Sequence, residues 1–420
     1  MRDRPGASLV ASGSHNSGKH RDASSLEAPA GDGGPPQDGD GRPGHRAERV
    51  VQIDILKALL VAWIIACHAL LGYMVIGGWP YDEVNEVVMS PRAEFALSVA
   101  LGPTSLFVIG MFFFLAGLFA PSEVTRRGLR GFVVTRVTRL GLPWLVFMLV
   151  IWPVFMWFAY RADGHDISPW QAFLGRQPFL DAGPLWFAQI LMYVSLGYAV
   201  WRWGRRRYGE LALPARISEL LLLAVVAAIT LASFTVRLWF PARSQQILDL
   251  HLWQWPQCIG MFCIGAMVSG YGWTARVPTG LARNCGVAVV GTLVAIPLIA
   301  FAGGVSDVAR DGAPFLGGWH WQALALAAVE SVLVVAGSVW LLALAQRWFR
   351  TGSPVLKRCG EASYLAFMLQ VPVLISLHIA LRPAPLPATV KGLVVGLTAV
   401  AVSFALGWLL KTRTALGKLL

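Results

Sequence analysis

From Val50 onward the chain alternates long apolar runs with short polar connections. Each run approaches the roughly 20 helical residues that a bilayer crossing needs. Ten such runs lie near 54–77, 95–120, 140–160, 184–203, 219–240, 252–273, 286–304, 320–345, 362–381 and 389–410. Several contain proline (Pro103, Pro153, Pro256, Pro297, Pro372), which a membrane helix tolerates when its neighbours satisfy the freed carbonyl. No repeat with a period of 20–50 residues is visible, nor is there clear similarity between halves. The pattern predicts an all-α, polytopic membrane bundle of about ten transmembrane helices.

Residues 1–48 are different. They hold nine Gly, five Pro and no Phe, Trp or Tyr, with six basic against seven acidic side chains. Such a stretch buries too little apolar surface to offset the entropy of ordering, so it reads as a disordered tail. It has no apolar core of the kind a cleavable signal peptide carries. The expected organisation is a cytoplasmic tail (1–48), a membrane domain (49–410) and a short basic cytoplasmic end (411–420).

Composition strengthens the membrane reading, since 56% of residues are hydrophobic and 14% charged, against about 45–50% and 25% in a soluble domain. The net charge of +12 does not mark a nucleic-acid binder, because its distribution explains it. Lys and Arg number 26 on the tail side of the runs and eight on the other, where ten acidic residues also lie. Cytoplasmic loops are enriched in Lys and Arg, so both ends are expected inside, in a plasma membrane of the bacterial inner-membrane kind. The five cysteines lie in or beside apolar stretches without ligand-like pairing and read as small packing residues.

Ionisable groups within the membrane then become informative. Asp54, Lys57, His68, Glu330 and Gln370 are the polar exceptions. Lys57 and His68 are eleven residues apart, three helical turns, so they share one face about 16 Å apart along the axis. Asp54, three residues before Lys57, lies on the same stripe. One reading is an acid and a base at the inner mouth with an imidazole deeper in. The other is an Asp and Lys that snorkel and a His that bonds a neighbouring helix.

At these residues the sequence resembles the integral-membrane acyltransferase-3 family, whose hallmark is Arg, ten residues, then His in the first helix. Further matching pieces are FFFLAGLF (112–119), RRGLRGFVVTRVTRLGLPWL (126–145), GPLWFAQILMY (183–193), WPQCIGMFCIGAMVSGYGW (255–273) and ASYLAFMLQVPVL (362–374). The resemblance implies ten spans and transfer of an acyl group, commonly acetyl, from cytoplasmic acyl-CoA to a hydroxyl of a carbohydrate, glycolipid or related acceptor. It implies no tightly bound cofactor. It makes His68 the catalytic His and Lys57 its basic partner, and it matches Arg136 and Arg139 to a basic Arg-x-x-Arg. Trp186 falls in a family motif and would shape the acceptor entrance. Three positions depart from the pattern: Lys57 for Arg, Ala116 for Ser, and Gln370 where many members carry His. Unlike some relatives, no appended extracellular hydrolase domain is expected.

Chemistry supports the same residues. Attack by an alcohol on a thioester needs a base, and His has the suitable pKa. The other seven His fall in the tail (His15, His20, His45) or in or near outer loops (His165, His251, His320, His378). The phosphates of a CoA donor suit the cations on the inner side, Lys57 with Asp54, Arg136 and Arg139. Glu330 sits at the depth of His68 and is expected to orient it or to bind the acceptor; a protonated Glu bonded within the bundle is the alternative. Gln370 could donate to an acyl oxygen or simply pack. No phosphate-loop, dinucleotide or metal-ligand spacing appears, and no metal site is expected. A transporter or flippase of a lipid-linked saccharide, or a non-catalytic relative of the family, is the competing reading.

Overall fold

The computed structural model describes residues 43–75, 79–105, 107–208, 216–244, 246–304, 312–349 and 353–414. Most of the segment read as a tail, residues 1–42, and the chain end from residue 415 lie outside the described residues. The described chain is all-α. In order, its helices are α1 (Pro43–Leu71), α2 (Pro91–Ser105), α3 (Val108–Arg136), α4 (Leu142–Val146), α5 (Trp152–Ala162), α6 (Pro169–Leu174), α7 (Trp186–Tyr208), α8 (Glu219–Arg237), α9 (Trp255–Val268), α10 (Thr279–Ala302), α11 (Ala313–Leu316), α12 (Trp321–Trp348), α13 (Pro354–Leu381) and α14 (Ala388–Arg413). No strand occurs among the described residues. Helix α1 starts at Pro43, so residues 43–48, read as tail, belong to a helix.

Eight helical stretches among the described residues are long and apolar enough to cross a membrane. The second and third apolar runs lie in one stretch, Pro91–Ala162, and the sixth forms the 14-residue α9. The long stretch is not one rod. Gly128 leaves helical geometry at φ 70°, ψ 168°, a conformation open to glycine because it lacks a Cβ. Beyond it the chain turns back: Arg136 Nη2 lies 2.8 Å from Glu123 Oε2, whereas a straight helix would separate these residues by about 20 Å.

Helices α1, α13 and α14 pack together, α3 packs on α9, and α8 and α10 pack on α12. At the α3–α9 crossing a Cβ on Gly117 would lie 2.1 Å from the Phe262 carbonyl oxygen, and one on Gly265 would lie 2.0 Å from that of Phe114. The backbones can meet only because both positions are glycine.

Two ion pairs tie the bundle. Arg237 of α8 and Glu330 of α12, 1% and 6% exposed, are 2.5 Å apart. Lys391 of α14, also buried, is 2.5 Å from the half-buried side chain of Glu86 in the connection between α1 and α2. Removing one partner strands a charge, at a cost of about 3–5 kcal/mol, while replacing both with apolar residues costs far less. Arg237→Met alone should therefore lower the midpoint of thermal unfolding in detergent micelles, and Arg237→Met with Glu330→Met should restore most of the loss.

Candidate functional site

The site begins on α1. Lys57 Nζ lies 3.0 Å from Asp54 Oδ1, one turn away on the same face, and 5.2 Å from the centre of the Phe119 ring on α3. Glu123, one turn beyond Phe119, holds Arg136. Asp54 and Lys57, midway along α1, thus meet the part of α3 that carries Phe119, one turn from the Glu123–Arg136 pair. Arg136 is paired with Glu123 and packs its guanidinium 4.9 Å from the Phe132 ring centre. The carbonyl of Arg139 accepts a 2.7 Å hydrogen bond from the Tyr364 hydroxyl.

Three turns along α1, His68 is half-buried and held from two sides. Its Nδ1 lies 2.9 Å from Oε1 of Gln370, a fully buried residue of α13. Its ring stacks on Trp79, centroids 4.5 Å apart and planes 19° apart. The sequence singled out His68 and Gln370 separately, and the fold brings them into contact. Trp79 was missed, because a Trp beside a loop proline looks like any member of the interfacial belt.

Glu330 does not partner His68. Its carboxylate bonds to Arg237, which corrects the expectation drawn from their similar depth. Depth fixes position along a helix but leaves the face unspecified, and a buried carboxylate is best satisfied by a cation. Arg237 had attracted no notice because it ends an apolar run.

The connection between α1 and α2 is strapped down where it carries Trp79. Tyr81 donates to Glu86 at 2.8 Å and stacks on His378 of α13 at 4.3 Å. Arg382 donates to the Val84 carbonyl and to Asp163, each at 2.5 Å. His378, expected near an outer loop, is fully buried. On its other edge Trp79 meets Trp152 at 6.3 Å, and Trp152 Nε1 donates to Asp181 Oδ2 at 2.7 Å. Trp186, expected at the acceptor entrance, stacks on His251 at 4.2 Å, 15° from parallel. Nδ1 of His251 is 3.1 Å from Asp249 Oδ1.

A model of the acyltransferase domain family matches residues 50–411. The chain belongs to the acyltransferase-3 family. No curated protein and no solved structure matches it. The protein is therefore a multi-pass membrane acyltransferase, and its first-helix Lys57–His68 pair stands within the matched region.

For this acyltransferase the strap sets the position of the ring that covers His68. Burial pushes the Glu86 carboxyl up, but hydrogen bonds from Lys391 and Tyr81 outweigh it and hold the group below its usual value of 4.5. A depressed carboxylate pKa stabilises the fold above the unfolded value, and the stabilisation fades as pH falls through the folded one. Amide exchange in residues 79–90, corrected for intrinsic rates, should be slow at pH 7 and accelerate below about pH 4.5. Glu86→Gln should exchange faster at pH 7 and lose that acid dependence.

Proposed function

We propose that this membrane acyltransferase moves an acyl group, most simply acetyl, from cytoplasmic acyl-CoA to a hydroxyl of a carbohydrate, glycolipid or similar acceptor, with His68 as general base. The observation that carries the reading is the bond between His68 Nδ1 and Gln370 Oε1. A carbonyl oxygen only accepts, so Nδ1 carries the hydrogen and the Nε2 lone pair remains for a proton. Gln370 thereby fixes the tautomer, the task a carboxylate performs in a catalytic triad.

The acceptor oxygen attacks the thioester carbon while its proton passes to Nε2. The tetrahedral intermediate collapses, the carbon–sulfur bond breaks, and the departing CoA sulfur takes the proton back from the imidazolium. Acyl-CoA is a co-substrate here, with no tightly bound cofactor. Lys57, positioned by Asp54, contacts donor phosphates on the inner side, and Arg136 and Arg139 add positive charge there. Lys57 meets phosphate as a point charge, without the bidentate fork of Arg. Trp186 serves the acceptor on the opposite side, and Glu330, paired with Arg237, has a structural task. The distribution of Lys and Arg supports both termini in the cytoplasm of a cell with this protein in its plasma membrane.

The test is acyl transfer from radiolabelled acetyl-CoA to endogenous acceptors in membranes carrying wild type or variants. His68→Ala should reduce the rate by about 10²–10⁴-fold, the usual worth of a general base. Equal rates from the two would overturn the mechanism. Lys57→Ala should raise the KM for acetyl-CoA, and Lys57→Arg should restore it.

A further inference from the structure

The unusual backbone of this protein is concentrated away from His68. Among the described residues, five that are not glycine have positive φ: Leu180 (60°), Arg243 (65°), Leu248 (60°), Asp249 (50°) and His251 (45°). All lie in two outer segments, before α7 and between α8 and α9, joined where the Leu248 amide donates to the Phe179 carbonyl at 3.1 Å. Such conformations cost free energy, persist where the surroundings over-determine them, and cluster at binding sites.

These segments bring together His251, Asp249, Asp181, Trp186 and Trp253. His251 is stacked on Trp186 and lies 6.0 Å from the Trp253 ring. Asp249 occupies Nδ1 of His251, which leaves Nε2 for a ligand. Burial works against protonation of this imidazole, but the Asp249 carboxylate outweighs it and raises the pKa above 6.5. Asp181, half-buried beside Asp249, is pushed up to about 7.

Beneath this cluster lie polar groups with nothing to bond. Arg237, 1% exposed, sets its guanidinium 5.3 Å from the Trp253 ring centre. Glu330 takes one of its terminal nitrogens, while Nε and Nη1 have no partner. Trp253 Nε1 and Gln254 Oε1 are also buried without one. Unsatisfied buried groups are rare in native proteins and call for an explanation.

A bound ligand supplies one, and the chemistry selects its class. Glu330 already balances Arg237, and two carboxylates face the cluster, so an anion is disfavoured. A neutral ring bearing several hydroxyls fits. It offers lone pairs to the Arg237 and Trp253 N–H groups, O–H donors to Asp249, Asp181 and Gln254, and an apolar C–H face to the indoles.

We propose that this outer cluster is a binding subsite for a neutral hexosyl unit of the acceptor, with His251 and Trp186 as its principal contacts. The assignment of that sugar as acyl acceptor rests on the function proposed above; the binding itself does not. Trp152 links the two regions, since it touches Trp79 and bonds Asp181.

Saturation-transfer NMR on the full-length protein, in micelles of a sugar-free detergent, tests this with methyl α-D-glucopyranoside, galactopyranoside and mannopyranoside as probes. At least one should bind saturably, with affinity reduced tenfold or more in His251→Gln and in Trp186→Phe and unchanged in His68→Ala. Both variants are conservative in shape, and a folding failure in one leaves the other to decide. Absence of saturable binding by all three glycosides, or equal binding by the folded His251 and Trp186 variants, would overturn the subsite. Sugar binding by a wild type that transfers no acetyl group would support the subsite and defeat the transfer reaction instead.

Discussion

A bilayer offers no water to a polar group, so every charge within this bundle must be answered by the protein itself. The pairs Arg237–Glu330 and Lys391–Glu86 meet that demand between elements distant in sequence. The first pins α8 to α12, and the second pins the connection after α1 to α14. Once these charges are answered, the remaining polar side chains are free for other tasks. Lys57 and Asp54 balance each other midway along α1, and His68 is left with a neutral amide as its hydrogen-bond partner.

The neutrality of that partner matters chemically. A carboxylate beside an imidazole strengthens it as a base and holds a proton once taken. An amide carbonyl orients the ring without adding a full charge. The fold thus combines two modes of histidine orientation: Gln370 at His68 within the bundle, and Asp249 at His251 in the connection between α8 and α9.

Much of this was legible in the sequence, and the reasons for the rest are physical. Apolar runs report helices directly because lipid imposes one requirement on length and polarity. The Asp54–Lys57 contact follows from helical spacing, and the reversal at Gly128 lies within the basic segment expected to separate the second and third runs. Contacts between helices are harder. Hydropathy gives depth without azimuth, so Glu330 was matched with the wrong partner, while Gln370 was found without its own. Arg237 was hidden at the end of an apolar run, and Trp79 among many interfacial tryptophans. His251 looked like an ordinary loop histidine, since only the folded backbone brings Asp249 and Trp186 against it.

In the reaction proposed above, the stack of Trp79 on His68 bears on fidelity. A thioester held near a competent base reacts with whatever hydroxyl arrives first, and water is the most abundant. With one face covered by a buried indole and one edge occupied by Gln370, the imidazole presents a narrow approach, and a bulky acceptor that binds elsewhere can outcompete solvent for it. In that proposed reaction, Trp79 would influence how much of the donor is transferred and how much is lost to hydrolysis.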